Sequence, residues 1–376
     1  MCKKIFIAAT GQHCGKTTIS LSLMHLAAKY YRRVGFIKPL GPKAILYQER
    51  VMDKDAALTA QVCHLDDDLD YMSPVVIERG YTKKVLSGEI CADTLRERMI
   101  SATRELEKRC DFLIIEGAGH GGVGSVVGLD NATVARILDA PVLMVAGGGI
   151  GSVVDSVNLN LALYGREGVE VKMLLTNKLL AHKREETLGY LRQAFSDKPM
   201  QIAGGFNFSP ILANPTLGRV SRLLSTELRG DSQQINRIIS TVQLGAASSQ
   251  RVADLLQDST LLIVTSSREE LIVMLSSLYH LEEYRKKLAG LVIPGSTKMS
   301  KITQQILDDS GIPYFRTLGT TAETFSAISD DVSKITAQDV EKISHLQKLS
   351  ETELDFAAID SCLNPPSTAR LAVGFG

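Results

Sequence analysis

Lys3-Lys4-Ile5-Phe6-Ile7-Ala8-Ala9-Thr10-Gly11-Gln12-His13-Cys14-Gly15-Lys16-Thr17-Thr18 decides the reading of this chain. An apolar run suited to a buried strand gives way to a loop of small residues ending in Gly-Lys-Thr. An apolar helical pattern follows at Ile19, Leu21, Leu23, Met24, Leu26 and Ala27. The order is strand, phosphate-binding loop, helix. Backbone N–H groups at a helix N-terminus point at phosphate oxygens, and the helix dipole favours their charge. Gly15 allows close approach, Lys16 reaches the terminal phosphates, and the Thr17 hydroxyl is placed to ligate a Mg²⁺ that bridges them. One position departs from the usual pattern: Thr10 stands where glycine is common, five residues before Gly15.

Outward from this stretch, carboxylates and amines recur at strand ends. Val34-Gly35-Phe36-Ile37 runs into Lys38-Pro39. Strand ends in open α/β sheets face the ligand crevice. Lys38 is therefore a second phosphate or substrate-carboxyl contact, the alternative being a surface lysine before a turn. A polar stretch follows, and then Asp53-Lys54-Asp55 opens a helix, where first-turn acids are commonly caps. Residues 81–109 read as one helix. Phe112-Leu113-Ile114-Ile115-Glu116-Gly117-Ala118-Gly119 is a buried strand ending in a carboxylate, the usual second Mg²⁺ contact beside a phosphate loop. His120 is either a base or a hydrogen-bonded loop residue. Strands at 140–146 and 169–176 follow, and Asn177-Lys178 stands where a base contact or a plain turn is expected. These βα repeats predict a parallel sheet with helices on both faces.

After Pro210 the composition shifts. Strands at 260–265, 288–295 and 312–315 alternate with helices, giving a smaller α/β domain with no phosphate loop, metal set or nucleophile–base arrangement. The expected domains are 1–225 and 235–350, with a Pro/Gly-containing tail, 351–376, frayed from Asn364.

The chain has 376 residues, with 44% hydrophobic and 22% charged, a globular composition. Lys+Arg and Asp+Glu are both 42, which argues against a general nucleic-acid surface. No apolar run approaches a membrane span. The six scattered cysteines read as reduced thiols of a cytoplasmic protein. Cys14 lies inside the loop and reads as small filler, the alternative being a reactive thiol.

Thr10, Lys38-Pro39, Asp55 and Glu116-Gly117-Ala118-Gly119 together resemble the dethiobiotin synthetases. The order of segments through about residue 350 resembles the N-terminal region of the long phosphotransacetylases, a dethiobiotin synthetase-like P-loop domain followed by a DRTGG-type domain. The matching stretches are Thr10–Thr18, Phe36–Pro39, Asp53–Ala56, Glu116–Gly119, Asn207–Pro210, Leu262–Glu270, Ala289–Gly295 and Asp339–Ile343. The namesake DRTGG motif is degraded to Ser266-Ser267-Arg268-Glu269-Glu270 and Pro294-Gly295-Ser296.

The resemblance implies ATP and Mg²⁺ as ligands. Lys16 and Lys38 would be catalytic. Thr10, Gly11, Gly15, Lys16, Thr17, Thr18 and Asn177 would hold the nucleotide, and Thr17, Asp55 and Glu116 the metal. It implies a nucleotide-responsive regulatory or interaction protein, without the acetyltransferase part and working as a homo-oligomer. The alternative is an ATP-dependent C–N ligase acting on a small carboxylate or amine, like dethiobiotin synthetase or cobyrinic acid a,c-diamide synthase.

Overall fold

The structure is a computed structural model and describes residues 2–331 and 335–363. The tail from Asn364, expected to fray, lies outside the described residues. The chain divides into two compact units: residues up to Phe208 together with those from Ser344 on, and Ser209–Ile343.

The first unit is built on a six-stranded sheet. In chain order its strands are β1 Lys3–Ala9, β2 Val34–Ile37, β3 Phe112–Glu116, β4 Val142–Gly147, β5 Val171–Asn177 and β6 Gln201–Gly204. Across the sheet the order is β6-β5-β4-β1-β3-β2, all parallel. Ile5, Phe6, Ile7, Ala8 and Ala9 of β1 are wholly buried, as the near-continuous apolar run of a strand covered on both faces requires. The connecting helices that matter for the site are α1 Lys16–Ala27, α2 Lys54–Cys63, α3 Ala92–Arg109, α4 Asn131–Ile137 and α5 Ile150–Arg166. The amphipathic α3 packs Leu95, Met99, Ala102 and Leu106 into the core.

Register brings the strand ends together. Ile7 lies opposite Glu116, and Ile37 opposite Ile115, so Lys38 emerges beside Glu116. On the other side Gly147 lies opposite Asn177.

The second unit has its own parallel sheet in sequential order: β7 Thr241–Leu244, β8 Thr260–Ile263, β9 Leu288–Pro294 and β10 Tyr314–Thr317. Leu262, Leu271, Leu275, Leu291 and Leu307 form a core on one of its sides, and Leu217, Ile263, Val292 and Phe315 another.

Four sequence expectations are corrected. The helix read over 81–109 is broken: Tyr81–Leu86 and α3 are separated by a turn through Gly88, whose φ of 79 ends the first piece. The stretch leading into Asp53, read as polar, forms an antiparallel hairpin of Ala44–Tyr47 with Arg50–Asp53. The domain boundary falls at 208/209 and not near 225, because Leu217 and Val220 of helix Leu217–Leu224 are buried in the second unit's core. Residues from 344 return to the first unit. There Phe356 stacks on Tyr30 at 5.1 Å between centroids, and Asp360 takes Lys3 Nζ at 2.7 Å and the Tyr31 hydroxyl at 2.6 Å. These long-range partners leave no periodic trace in the local sequence.

Candidate functional site

The loop after β1 takes its shape from a few contacts. Gly15 caps α1 with φ 95, in the left-handed region. A Cβ there would be strained and would lie 2.3 Å from Asn177 Nδ2. Thr10 is not left-handed. Its N–H still donates to Val145 O at 3.0 Å, continuing the pairing of β1 with β4, so residue 10 needs no glycine. The Cys14 thiol packs back on Thr10 Oγ1 at 3.7 Å, the filler role read from the sequence.

Five side chains named from the sequence converge beside this loop. Lys38 is 2% exposed. Its Nζ donates to Glu116 Oε1 at 2.6 Å, to Asp55 Oδ2 at 3.2 Å and to Gly117 O at 3.2 Å. Thr17 Oγ1 donates to the same Glu116 Oε1 at 3.2 Å. Lys16 Nζ donates to Gly119 O. The surface-lysine alternative for Lys38 is thereby removed. The cation lies between the two carboxylates expected on the metal, a placement the sequence did not show.

The electrostatics of the two lysines diverge. Burial, and after it the neighbouring Lys38, push the Lys16 ammonium down to about 8. Burial also opposes charge on Lys38, but Glu116, Asp55 and Asp53 together outweigh it and hold Lys38 above the usual lysine value. Asp53 itself is raised, chiefly by burial. It is the cap of α2: its Oδ1 accepts from Asp55 N at 2.8 Å, and its Oδ2 from Lys43 N at 3.0 Å. That cap fixes where Asp55 stands.

Glu116 has an oxygen that a bound cation would satisfy. Its Oε2 is buried with no hydrogen-bond partner, and a buried carboxylate oxygen left so is costly unless a cation completes it. Among the described residues no three His, Cys, Asp or Glu side chains group to hold a metal by themselves. Mg²⁺ beside nucleotides is commonly held by one or two carboxylates plus phosphates and water, so a set of Thr17 and Glu116 beside Asp55 fits that mode.

Other functional residues were missed in the sequence. Asn131, at the start of α4, clamps the loop after β3: its Oδ1 accepts from Ala118 N at 2.9 Å, and its Nδ2 donates to Ala118 O at 2.7 Å and His120 O at 2.8 Å. A Cβ on Gly117 would lie 2.8 Å from that Oδ1, so the glycine is needed for the clamp. Asp130-Asn131-Ala132-Thr133 reads as a helix cap, and Asp130 does accept from Ala132 N and Thr133 N. That signal locates the helix but not the clamp. Asn160 of α5 donates to Thr10 O at 3.4 Å. His120 is exposed, and its Nδ1 accepts from Gly122 N, the loop-residue alternative.

Asn177 is buried and braces two loops. Its Nδ2 donates to Cys14 O at 3.0 Å and its Oδ1 accepts from Phe206 N at 3.0 Å. It ties the loop after β1 to the segment after β6. The same segment is held by Glu353, whose Oε2 accepts from Asn207 N at 2.7 Å, and by Arg184, which donates to Gly205 O at 2.8 Å. Thr18 and Gly11 are half-buried in the α1 first turn and the loop.

Residues 3–222 match the model of a family described as an AAA domain. The chain belongs to this family. Its curated relatives include the phosphate acetyltransferase of Nitratidesulfovibrio vulgaris, 22% identical over 99% of this chain and 53% of that enzyme. The ATP-dependent dethiobiotin synthetase of Aromatoleum aromaticum is 25% identical over 52% of this chain and 87% of that enzyme. The chain spans about half the length of the phosphate acetyltransferases it matches. Among solved structures, the septum site-determining protein MinD of Pyrococcus horikoshii, complexed with Mg-ADP, is 16% identical. That match covers 56% of this chain and 84% of the other, with a TM-score of 0.33. By its family match and its own Gly15-Lys16-Thr17 loop the chain is a P-loop protein, related in sequence to the phosphate acetyltransferases and the dethiobiotin synthetases. No helix among its described residues is long and apolar enough to cross a membrane.

Proposed function

We propose that this AAA-domain protein binds ATP with Mg²⁺ at the Gly15–Thr18 end of α1 and serves as a nucleotide-responsive regulatory or interaction protein. One observation carries the reading: the buried Lys38 and Glu116 meet the half-buried Thr17 beside the loop, with Glu116 Oε2 left unpaired. Bound Mg²⁺ would neutralise phosphate charge there, held by Thr17 and Glu116 with Asp55 alongside. Lys16 leaves Gly119 O for the terminal phosphates. Backbone N–H groups of the loop, with Gly11, Thr10 and Thr18, cradle the phosphate chain. Lys38 holds positive charge at the buried end. The likeness to half of several phosphate acetyltransferases favours a regulatory role over a self-contained reaction, with the DRTGG-like second unit carrying the partner or effector contact and association in a homo-oligomer.

A second reading, an ATP-dependent C–N ligase, is favoured by the intact pair of lysines and the two carboxylates. It assigns Lys38 to a substrate carboxylate during phosphoryl transfer. Steady-state phosphate release separates the two. A regulator binds ATP with slow turnover that small amines and carboxylates leave unchanged. A ligase shows release accelerated many-fold by its acceptor, and that result in a metabolite screen would overturn the regulatory reading.

A further inference from the structure

Cys2 and Cys110 are far apart in sequence and read there as unrelated thiols. The fold brings Cys2 Sγ within 3.3 Å of Cys110 Sγ. Cys2 immediately precedes β1, and Cys110 stands between α3 and β3, the strand paired with β1. Both are half-buried and neither is bridged. No other two thiols among the described residues make such a contact. Room for the Cys110 sulfur depends on Gly35 of β2, where a Cβ would come within 2.9 Å of it. A disulfide needs about 2.05 Å between sulfurs, so the closing movement is little more than roughly 1 Å.

We propose that Cys2 and Cys110 form an oxidation-operated disulfide that staples the start of β1 to the α3–β3 junction. The oxidant is a low-molecular-weight disulfide such as glutathione disulfide. The Cys2 thiolate attacks one glutathione sulfur, releasing one glutathione thiolate and forming a mixed disulfide. The Cys110 sulfur, losing its proton, then attacks the Cys2 sulfur and expels the second glutathione as thiol. Two protein thiols are oxidised and one disulfide is reduced to two thiols, so the exchange balances. Cys2 is the attacking group: its contact with Cys110 lowers its thiol below the usual cysteine value against the opposing effect of burial, while Cys110 is held above it by the same contact and by burial.

The bond closes a loop that contains the phosphate-type loop, Lys38 and Asp55, and such a constraint on the unfolded chain stabilises the native one. It lies at the opposite ends of β1 and β3 from Thr10 and Glu116, so the nucleotide site keeps its geometry.

The test is incubation of the full chain with glutathione disulfide, followed by intact mass and non-reducing peptide mapping. Loss of the mass of two hydrogens, a Cys2–Cys110 linked peptide and a melting temperature higher by roughly 5–10 °C are expected. Cys2→Ser and Cys110→Ser each abolish the link and the shift, whereas Cys91→Ser, at an exposed thiol, abolishes neither. Stable glutathione adducts on Cys2 without the link, a link that forms only in denaturant, or a link with no rise in melting temperature would each overturn the proposal.

Discussion

At the carboxyl edge of the six-stranded sheet, β2 and β3 end in buried charge: Lys38 is 2% exposed and Glu116 is fully buried. At the corresponding edge of the four-stranded sheet the charged side chains stay at the surface and pair locally. Arg268 reaches Gly245 O and Ala247 O at 3.1 Å and Glu270 at 2.5 Å. Glu269 accepts from Ser300 N at 2.9 Å and Thr303 Oγ1 at 2.5 Å, and Glu323 closes a capping box with Thr320. Both are carboxyl ends of parallel strands, but only the six-stranded sheet reverses its strand order there, which opens a crevice in α/β sheets. One leaves a carboxylate oxygen unsatisfied, while the other spends its polar groups on its own loops. The two edges thus differ in strand order and in the side chains placed on them, which is where a site on a shared type of fold is distinguished.

The largest expected effect breaks this contrast directly. Lys38→Met leaves Glu116 and Asp55 buried without their cation and is expected to cost about 3–5 kcal/mol of stability. Pairing it with Glu116→Gln should recover a large part of that. Arg268→Met on the other edge removes a half-exposed, loop-bound guanidinium and is expected to cost less than about 1 kcal/mol. Urea denaturation of the variants reads the difference. Equal costs at the two edges would remove the distinction.

A second effect concerns the domain boundary. A fragment ending at residue 225 lacks Glu353, Phe356 and Asp360 and carries Leu217 and Val220 without their core. It is expected to melt well below residues 1–208 joined by a short linker to 344–363, and circular dichroism melts compare the two. A fragment of 1–225 that is the more stable would contradict the two-unit division.

Much of the first unit was legible because its chemistry is local. Gly15-Lys16-Thr17 announces its own strand–loop–helix context, and the apolar runs of β3 and β4 announce buried strands. Lys38 and Glu116 were legible as strand-end residues, but they stand 78 positions apart in the chain and meet only through the register of β2 on β3. The Asn131 clamp and the Glu353 brace were not legible, because a single asparagine or glutamate carries no periodic signal of its distant backbone partners. The hairpin at 44–53 was not legible because its strands are only four residues long and its apolar Leu46 and Val51 are exposed, so they mark no core face. The break at Gly88 was hidden because the flanking segments share helical composition.

A smaller effect sharpens the account of Lys16. Its ammonium, lowered to about 8 from an unfolded value near 10.4, makes the native state bind fewer protons between those limits. Stability therefore rises with pH across that window as far as Lys16 is concerned. Phosphate binding needs the charged form, so ATP affinity should fall above pH 8 by up to about tenfold per pH unit, with proton uptake on binding. Calorimetry in buffers of different ionisation enthalpy measures the uptake. Its absence at pH 8–9 would mean that Lys16 is already fully charged in the free protein.

The central claim is tested most directly by calorimetric titration of ATP with and without Mg²⁺ into the wild type, Lys16→Ala and Glu116→Gln, each first shown to be folded. Wild type is expected to bind one ATP with Mg²⁺-dependent affinity. Lys16→Ala should lose about 10–100-fold, the worth of a charged hydrogen-bonding group. Glu116→Gln should keep ATP binding but lose most of its Mg²⁺ dependence. Unchanged ATP affinity in Lys16→Ala, together with unchanged Mg²⁺ dependence in Glu116→Gln, would contradict the assignment of this edge as the nucleotide site.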